Sequence, residues 1–172
     1  METHNKIFNT FNKLIQIKAF DDISVLEICK EAHVSTSSFY RHYKDKYDVM
    51  NDNYKRIIDQ YMHSSQNHNY EDVFINLFNM SKELHYLKNA FDYTGINSLG
   101  DFIYQYSYNT VIWMCKRKNI QFEDKDLLLL DVFCGGASIM YQHYILGKFD
   151  LSPQQAGKTL YQIFPDVFKI SW

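Results

Sequence analysis

Residues 24–46 read SVLEICKEAHVSTSSFYRHYKDK, and this stretch decides the fold. Ser24 and Glu27 stand in S-x-x-E spacing, a capping-box signature that predicts a helix from Val25 to about Ala32. His33-Val34 then makes a turn, and Ser35 caps a second helix through about His42. Ile28, Cys29, Ala32, Val34 and Phe39 are the predicted buried positions. Small Cys29 fits a close helix crossing, while Val34 and Phe39 pin the second helix onto the first. Two short helices with this turn form a helix-turn-helix, the unit that lays its second helix in the DNA major groove.

Working outward, Ile7, Phe8, Phe11, Leu14, Ile15 and Ala19 recur at helical spacing and predict a first helix over 2–18 that closes a three-helix core. A fourth helix is predicted from about Lys44 to Met62, with Tyr47, Met50, Tyr54, Ile57, Ile58 and Tyr61 as its apolar stripe. The polar run at 64–69 is the clearest break. Beyond it, helices are predicted over about 70–80, 84–93, 99–118 and 124–146. A last one starts at Ser152-Pro153 with a cap and a first-turn proline, and stops at Pro165. The expectation is an all-α chain of about nine helices. It comprises a helix-turn-helix domain over 1–46, a linking helix at 44–62, and a second helical domain over 63–172.

Composition narrows the function class. With 172 residues, 46% of them hydrophobic, the chain can bury a sizeable core. Its net charge of −2 confines any nucleic-acid contact to a local patch. Cys29, Cys115 and Cys134 lie far apart with no C-x-x-C pair, which reads as buried reduced thiols in a cytoplasmic protein and not as a zinc or redox motif. The N-terminal METHNKIFNT lacks an apolar signal core, and no run of about 18 apolar residues predicts a membrane span. His63 and His68 are too loosely spaced for a helix metal pair, and Cys134-Gly135-Gly136-Ala137-Ser138 lacks the order of a nucleophile elbow. No metal, cofactor or catalytic set is expected.

Ile23-Ser24-Val25 with Ile28, Ala32-His33-Val34-Ser35, Phe39-Tyr40-Arg41-His42-Tyr43 and Lys44-Asp45-Lys46 together resemble the TetR family of transcriptional regulators over about residues 5–60. His33 departs from that pattern, standing where the family usually has glycine. The rest is similar in layout only. The resemblance implies a homodimer on double-stranded, near-palindromic DNA, with a variable helical domain for a small effector and the last two helices at the dimer interface. It implies repression relieved by that ligand. Activation, or control by a protein partner, is the alternative.

The resemblance places Thr36, Ser37 and Ser38 at the exposed start of the recognition helix. Short hydroxyls there can reach bases of either type. Arg41 is the strongest candidate base reader. Tyr40, His42 and Lys46 match phosphate-contacting positions, and Ser24 and Ser35 cap helices whose ends face the backbone. Candidate cavity residues are Tyr86, Phe91, Tyr106, Thr110, Trp113 and Tyr141. Candidate dimer-interface residues are Leu130, Cys134, Ala137, Tyr141, Leu160 and Ile163. The basic run at 116–118 reads as a helix C-terminus that favours cations.

Overall fold

A computed structural model describes residues 2–62, 67–81, 88–91 and 98–170. Every element among them is helical: α1 (Glu2–Ile17), α2 (Val25–Glu31), α3 (Thr36–Tyr40), α4 (Lys46–Met62), α5 (Tyr70–Ser81), α6 (Lys88–Phe91), α7 (Leu99–Arg117), α8 (Asp124–Ile145) and α9 (Pro153–Ile163). Short 3-10 turns lie at Phe20–Asp22 and Asp166–Phe168. The chain divides into two units: Met1–Ile57 with Tyr86–Leu99, and Ile58–His85 with Gly100–Trp172. The division falls inside α4.

In the first unit, α1 buries Ile7, Phe11, Leu14 and Ile15, one face at the spacing the sequence predicts. These meet Phe20, Ile23, Ile28, Cys29, Ala32 and Phe39. Phe11 and Phe20 pack edge to face at 6.3 Å. Val34 is only half-buried, so Phe39, wholly buried, carries more of the anchoring of α3 than the sequence suggests. Helix α4 begins at Lys46, two residues later than predicted, because Asp45 accepts from the Asp48 N–H at 2.9 Å while Asp48 accepts from the Lys44 N–H at 2.9 Å. Those two bonds hold 44–45 outside the helix.

Glycine's usual role in the motif turn is filled by His33, at φ 53°. The Val34 N–H donates to the Cys29 carbonyl and the His33 N–H to the Lys30 carbonyl, the Schellman pattern. The same pattern ends α7 at Asn119 (φ 54°) and α8 at Gly147 (φ 75°). A left-handed His is strained where Gly is not. His33→Gly should therefore stabilise the protein by about 0.5–1 kcal/mol, and His33→Val should destabilise it. Urea unfolding of both variants measures the two signs.

The second unit is stitched by aromatic rings. Phe164 is buried and lies 4.8 Å from Tyr70, 5.4 Å from Phe74 and 4.9 Å from Phe133. Phe78 meets Tyr141 at 5.6 Å and Tyr144 at 4.7 Å. Helices α5 and α9 approach closely at Gly157, where an added Cβ would sit 2.6 Å from the Ile75 Cα and N. Glu123 and Asp126 cap α8 reciprocally, and Ser152 and Gln155 do the same for α9. The polar break has an anchor after all: Asn67 is buried, donates to the Tyr61 and Met62 carbonyls at 2.8 and 3.2 Å, and accepts from Asn76 at 2.6 Å. It thus caps the end of α4. No helix among the described residues is long and apolar enough to cross a membrane.

Candidate nucleic-acid interface

The exposed edge of the first unit runs from Ser35 through His42. Ser35 caps α3: its Oγ accepts from the Ser38 N–H at 3.1 Å and donates to the Ser38 Oγ at 2.9 Å. Arg41 lies back along the same face and donates from Nη2 to the Ser38 Oγ at 2.8 Å. Thr36, Ser37, Tyr40, Arg41 and His42 are exposed, and Ser38 is half-buried. Phe39 is sealed beneath them. Tyr40 rests edge-on against Phe39 at 5.4 Å with most of its ring in solvent. The result is a short helix, fixed from below, that presents hydroxyls, one phenol, one guanidinium and one imidazole on one side. Hydrogen-bonding groups of this kind suit base edges and phosphate oxygens.

Ser24 caps α2, accepting from the Glu27 N–H at 3.1 Å, and is exposed. Only half of the predicted capping box forms, because the Glu27 carboxylate turns to the Lys18 ammonium instead. An ion pair across elements thereby takes the group that would have closed the box.

Lys46 departs furthest from the sequence reading. Its ammonium points inward and donates to the carbonyls of Phe20, Asp21 and Ile23 at 2.9, 3.2 and 2.9 Å, 4.4 Å above the Phe20 ring. Burial pulls its pKa below the ordinary lysine value, against the raising influence of Asp21 and Asp22. All three of its protons are used inside the protein, so the expected phosphate contact is not where this side chain points. It fastens the connector that leads into α2.

A cluster the sequence does not announce sits behind α3. The buried Tyr43 hydroxyl donates to Asp52 at 2.8 Å and meets His4 Nε2 at 2.8 Å. Arg56 bonds Asp52 at 3.3 Å and donates to His4 Nδ1 at 2.9 Å. Burial, then the Asp52 bond, raises the Tyr43 phenol well above the usual range. Accepting at Nδ1 leaves the His4 proton on Nε2, facing Tyr43. The start of α1, the residue after the recognition segment and the middle of α4 are thus tied at one point. Only the Asp52-Arg56 pair, four apart on one helix, was visible in sequence.

Residues 10–52 match the family model for bacterial regulatory proteins, tetR family. The helix-turn-helix unit is of the tetR family. Three solved structures share the fold along nearly the whole chain. The dihydroxyacetone kinase operon activator DhaS superposes with a TM-score of 0.61 at 14% identity, covering 94% of this chain and 93% of its own. A TetR transcriptional regulator from Rhodococcus sp. RHA1 gives 0.58 at 16%, covering 96% and 94%. The fatty acid degradation regulator FadR from Bacillus halodurans gives 0.54 at 17%, covering 98% and 97%. A comparison with curated proteins found no match. The architecture is therefore a helix-turn-helix unit that matches the tetR-family model, followed by a helical C-terminal domain.

The second unit holds a cavity of about 60 Å³ walled by the end of α4, by α5 and by α7. Of the predicted cavity residues, Tyr106 and Thr110 line it. Trp113 does not: it is 49% exposed, with the Arg117 guanidinium 4.7 Å above its ring. Phe91 is buried in the other unit, and Tyr141 is packed against Phe78. Tyr86 lies outside the described residues. The predicted interface set divides likewise. Leu130, Cys134, Tyr141 and Leu160 are buried within the chain, which corrects their assignment to an outer surface. Ala137 is half-buried and Ile163 is 67% exposed. The face of α8 left outward carries Leu128, Leu129, Val132 and Ile139, on the opposite side of the helix from the face chosen by sequence. Glycine at 135 and 136 meets no neighbouring atom where a Cβ would stand.

Proposed function

We propose that this protein is a sequence-specific DNA-binding transcriptional regulator that works as a homodimer, represses, and is released by a small ligand in the second unit. The observation that carries the reading is the capped, exposed α3 face of Thr36, Ser37, Tyr40 and Arg41 over a buried Phe39. Thr36, Ser37 and Arg41 read base edges, and Ser38 holds Arg41 until it swings to a base. Tyr40, His42, Ser24 and Ser35 meet phosphates and set register. Lys46 acts from behind by fixing the α2 entry, and exposed Lys44 supplies the nearby cation.

Dimerisation through the outward face of α8 with Ile163 of α9 would form a four-helix interface across a two-fold axis. Two recognition helices would then enter successive major grooves about 34–36 Å apart. A ligand that prefers the other dimer spacing lowers the DNA-competent population by its differential affinity. Helix α4 starts in one unit and ends in the other, so it is the natural carrier of that change.

Binding to oligonucleotides selected from a random pool, across a salt series, tests the reading. Sequence-preferring affinity that falls with salt is the expected result; uniform or absent binding overturns it. Arg41→Ala should relax the preference at one base position by about 1–3 kcal/mol. Activation is the second reading, favoured by the fold shared with an operon activator. The sign of a reporter's response to deletion of this chain separates the two.

A further inference from the structure

Behind the recognition segment, the hydrogen bonds around His4 close into a ring. Arg56 Nη2 donates to His4 Nδ1 at 2.9 Å, and the His4 Nε2–H faces the Tyr43 hydroxyl oxygen at 2.8 Å. That hydroxyl donates to Asp52 at 2.8 Å, and Asp52 accepts in turn from Arg56 Nε at 3.3 Å. Ring contacts follow the same order. His4 stacks on Tyr43 with centroids 5.0 Å apart and meets the His42 ring edge-on at 5.9 Å. The Arg56 guanidinium is held against the Phe8 ring at 4.2 Å, one turn further along α1. His4 stands on the inward stripe of α1, three residues before Ile7 and four before Phe8, where an aliphatic side chain would serve packing alone. A polar ring in that place is explained by its bonds.

We propose that His4 is a positioning residue for DNA binding: it touches no nucleic acid and sets where the turn at His42–Tyr43 stands, and with it the Tyr40 and His42 side chains that meet phosphates. The inference rests on the reading of α3 as the DNA-facing helix and adds the residue that holds its far end. The near end is fixed by the Ser35 cap and the middle by buried Phe39. The far end is held by the His42 and Tyr43 N–H groups on the Phe39 carbonyl, at 2.9 and 3.0 Å, and beyond that by side chains. A helix this short has little cooperativity of its own, so those side chains decide where its end lies. Asp52 takes the Tyr43 hydroxyl from α4, and His4 takes it from α1, because the two imidazole nitrogens accept from one neighbour and donate to the other. Members of such a ring polarise one another in the same sense, so the loss of one weakens the rest. Leucine at position 4 would fill the stripe but deprive Tyr43 of a donor and Arg56 of an acceptor. Glutamine, whose amide both accepts and donates, can serve both.

Full-length His4→Leu and His4→Gln, measured on the DNA sequence that the parent protein selects, test the inference beside urea unfolding and hydrogen exchange. His4→Leu should bind about tenfold more weakly, the scale of one hydrogen bond to a charged partner. The same factor should hold on single-base variants of the site, because phosphate contacts carry no sequence information. Its unfolding midpoint should stay close to the parent's. Without DNA, its His42 and Tyr43 amides should exchange faster while those in the middle of α1 keep their protection. His4→Gln should restore both the affinity and the slow exchange. Parent-like affinity in His4→Leu overturns the inference. So does failure of glutamine to restore binding, or a leucine variant that loses global stability or does not fold, since each leaves His4 a packing role or none. A parent that selects no sequence refutes the regulator reading, and the exchange rates then show by themselves whether His4 fixes the turn. A parent that binds DNA while His4→Leu is indifferent refutes this inference alone.

Discussion

If the protein dimerises through α8 on an operator as proposed, Val132→Glu should turn it into a monomer and lower its operator affinity by about a hundredfold or more, the scale on which avidity is lost when two sites are no longer linked. Val132 is 67% exposed in the isolated chain, near the centre of the outward face of α8 formed by Leu128, Leu129 and Ile139. Across a two-fold axis the same patch serves both protomers, so one substitution places two carboxylates in the contact. Each must be desolvated near the other. Because the side chain lies outside the chain's own core, thermal unfolding at protein concentrations where the parent is already monomeric should be nearly unchanged. Sedimentation velocity reads the outcome. A Val132→Glu protein that remains dimeric would place the interface elsewhere.

Gly157→Ala should cost about 2–3 kcal/mol by overpacking and lower Tm by about 5–10 °C for a chain of this size. Helix propensity alone predicts the opposite sign, since alanine is favoured over glycine inside a helix by about 1 kcal/mol. Close packing decides the matter. The new methyl would lie 2.6 Å from both the Cα and N of Ile75 and 2.7 Å from its Cγ1. Backbone atoms cannot rotate away, so α5 and α9 must separate. Phe164 and Leu160 then lose contact with the aromatic core. Ile75→Ala should not rescue the variant, because it removes only the Cγ1 clash. Rescue by Ile75→Ala would show that the side chain, and not the backbone, sets the helix spacing.

The sequence was most legible where local chemistry and tertiary packing ask for the same residue. Ser35 and Ser152 are caps in both senses, Pro153 opens α9 as expected, and Phe39 is both the apolar mark of the motif and its buried anchor. Long-range partners are where the reading failed. Lys46 sits where a cation suits DNA, yet three carbonyls some twenty residues earlier in the chain claim its protons. Glu27 has the right spacing to close a cap, but Lys18 claims its carboxylate. On α8 the run at 127–130 is apolar all round, so period alone could not tell which side faces inward; the inner side is Leu130, Cys134 and Tyr141. Gly157 gives no local signal at all. Only the approach of α5 makes it obligatory.

The three thiols have a practical consequence. Cys29, Cys115 and Cys134 are all buried, unpaired and held in the protonated form, with burial raising each and Cys134 reaching about 12. Thiolate is the nucleophile in alkylation, so at neutral pH the native protein offers maleimides and methanethiosulfonates almost nothing to attack. A single cysteine introduced at Ser37 would then be the dominant site of labelling without removal of the native three. In a dimer that one position yields a symmetric pair of spin labels. Their separation, read by pulsed dipolar spectroscopy with and without ligand, is a direct ruler for the spacing of the two recognition helices.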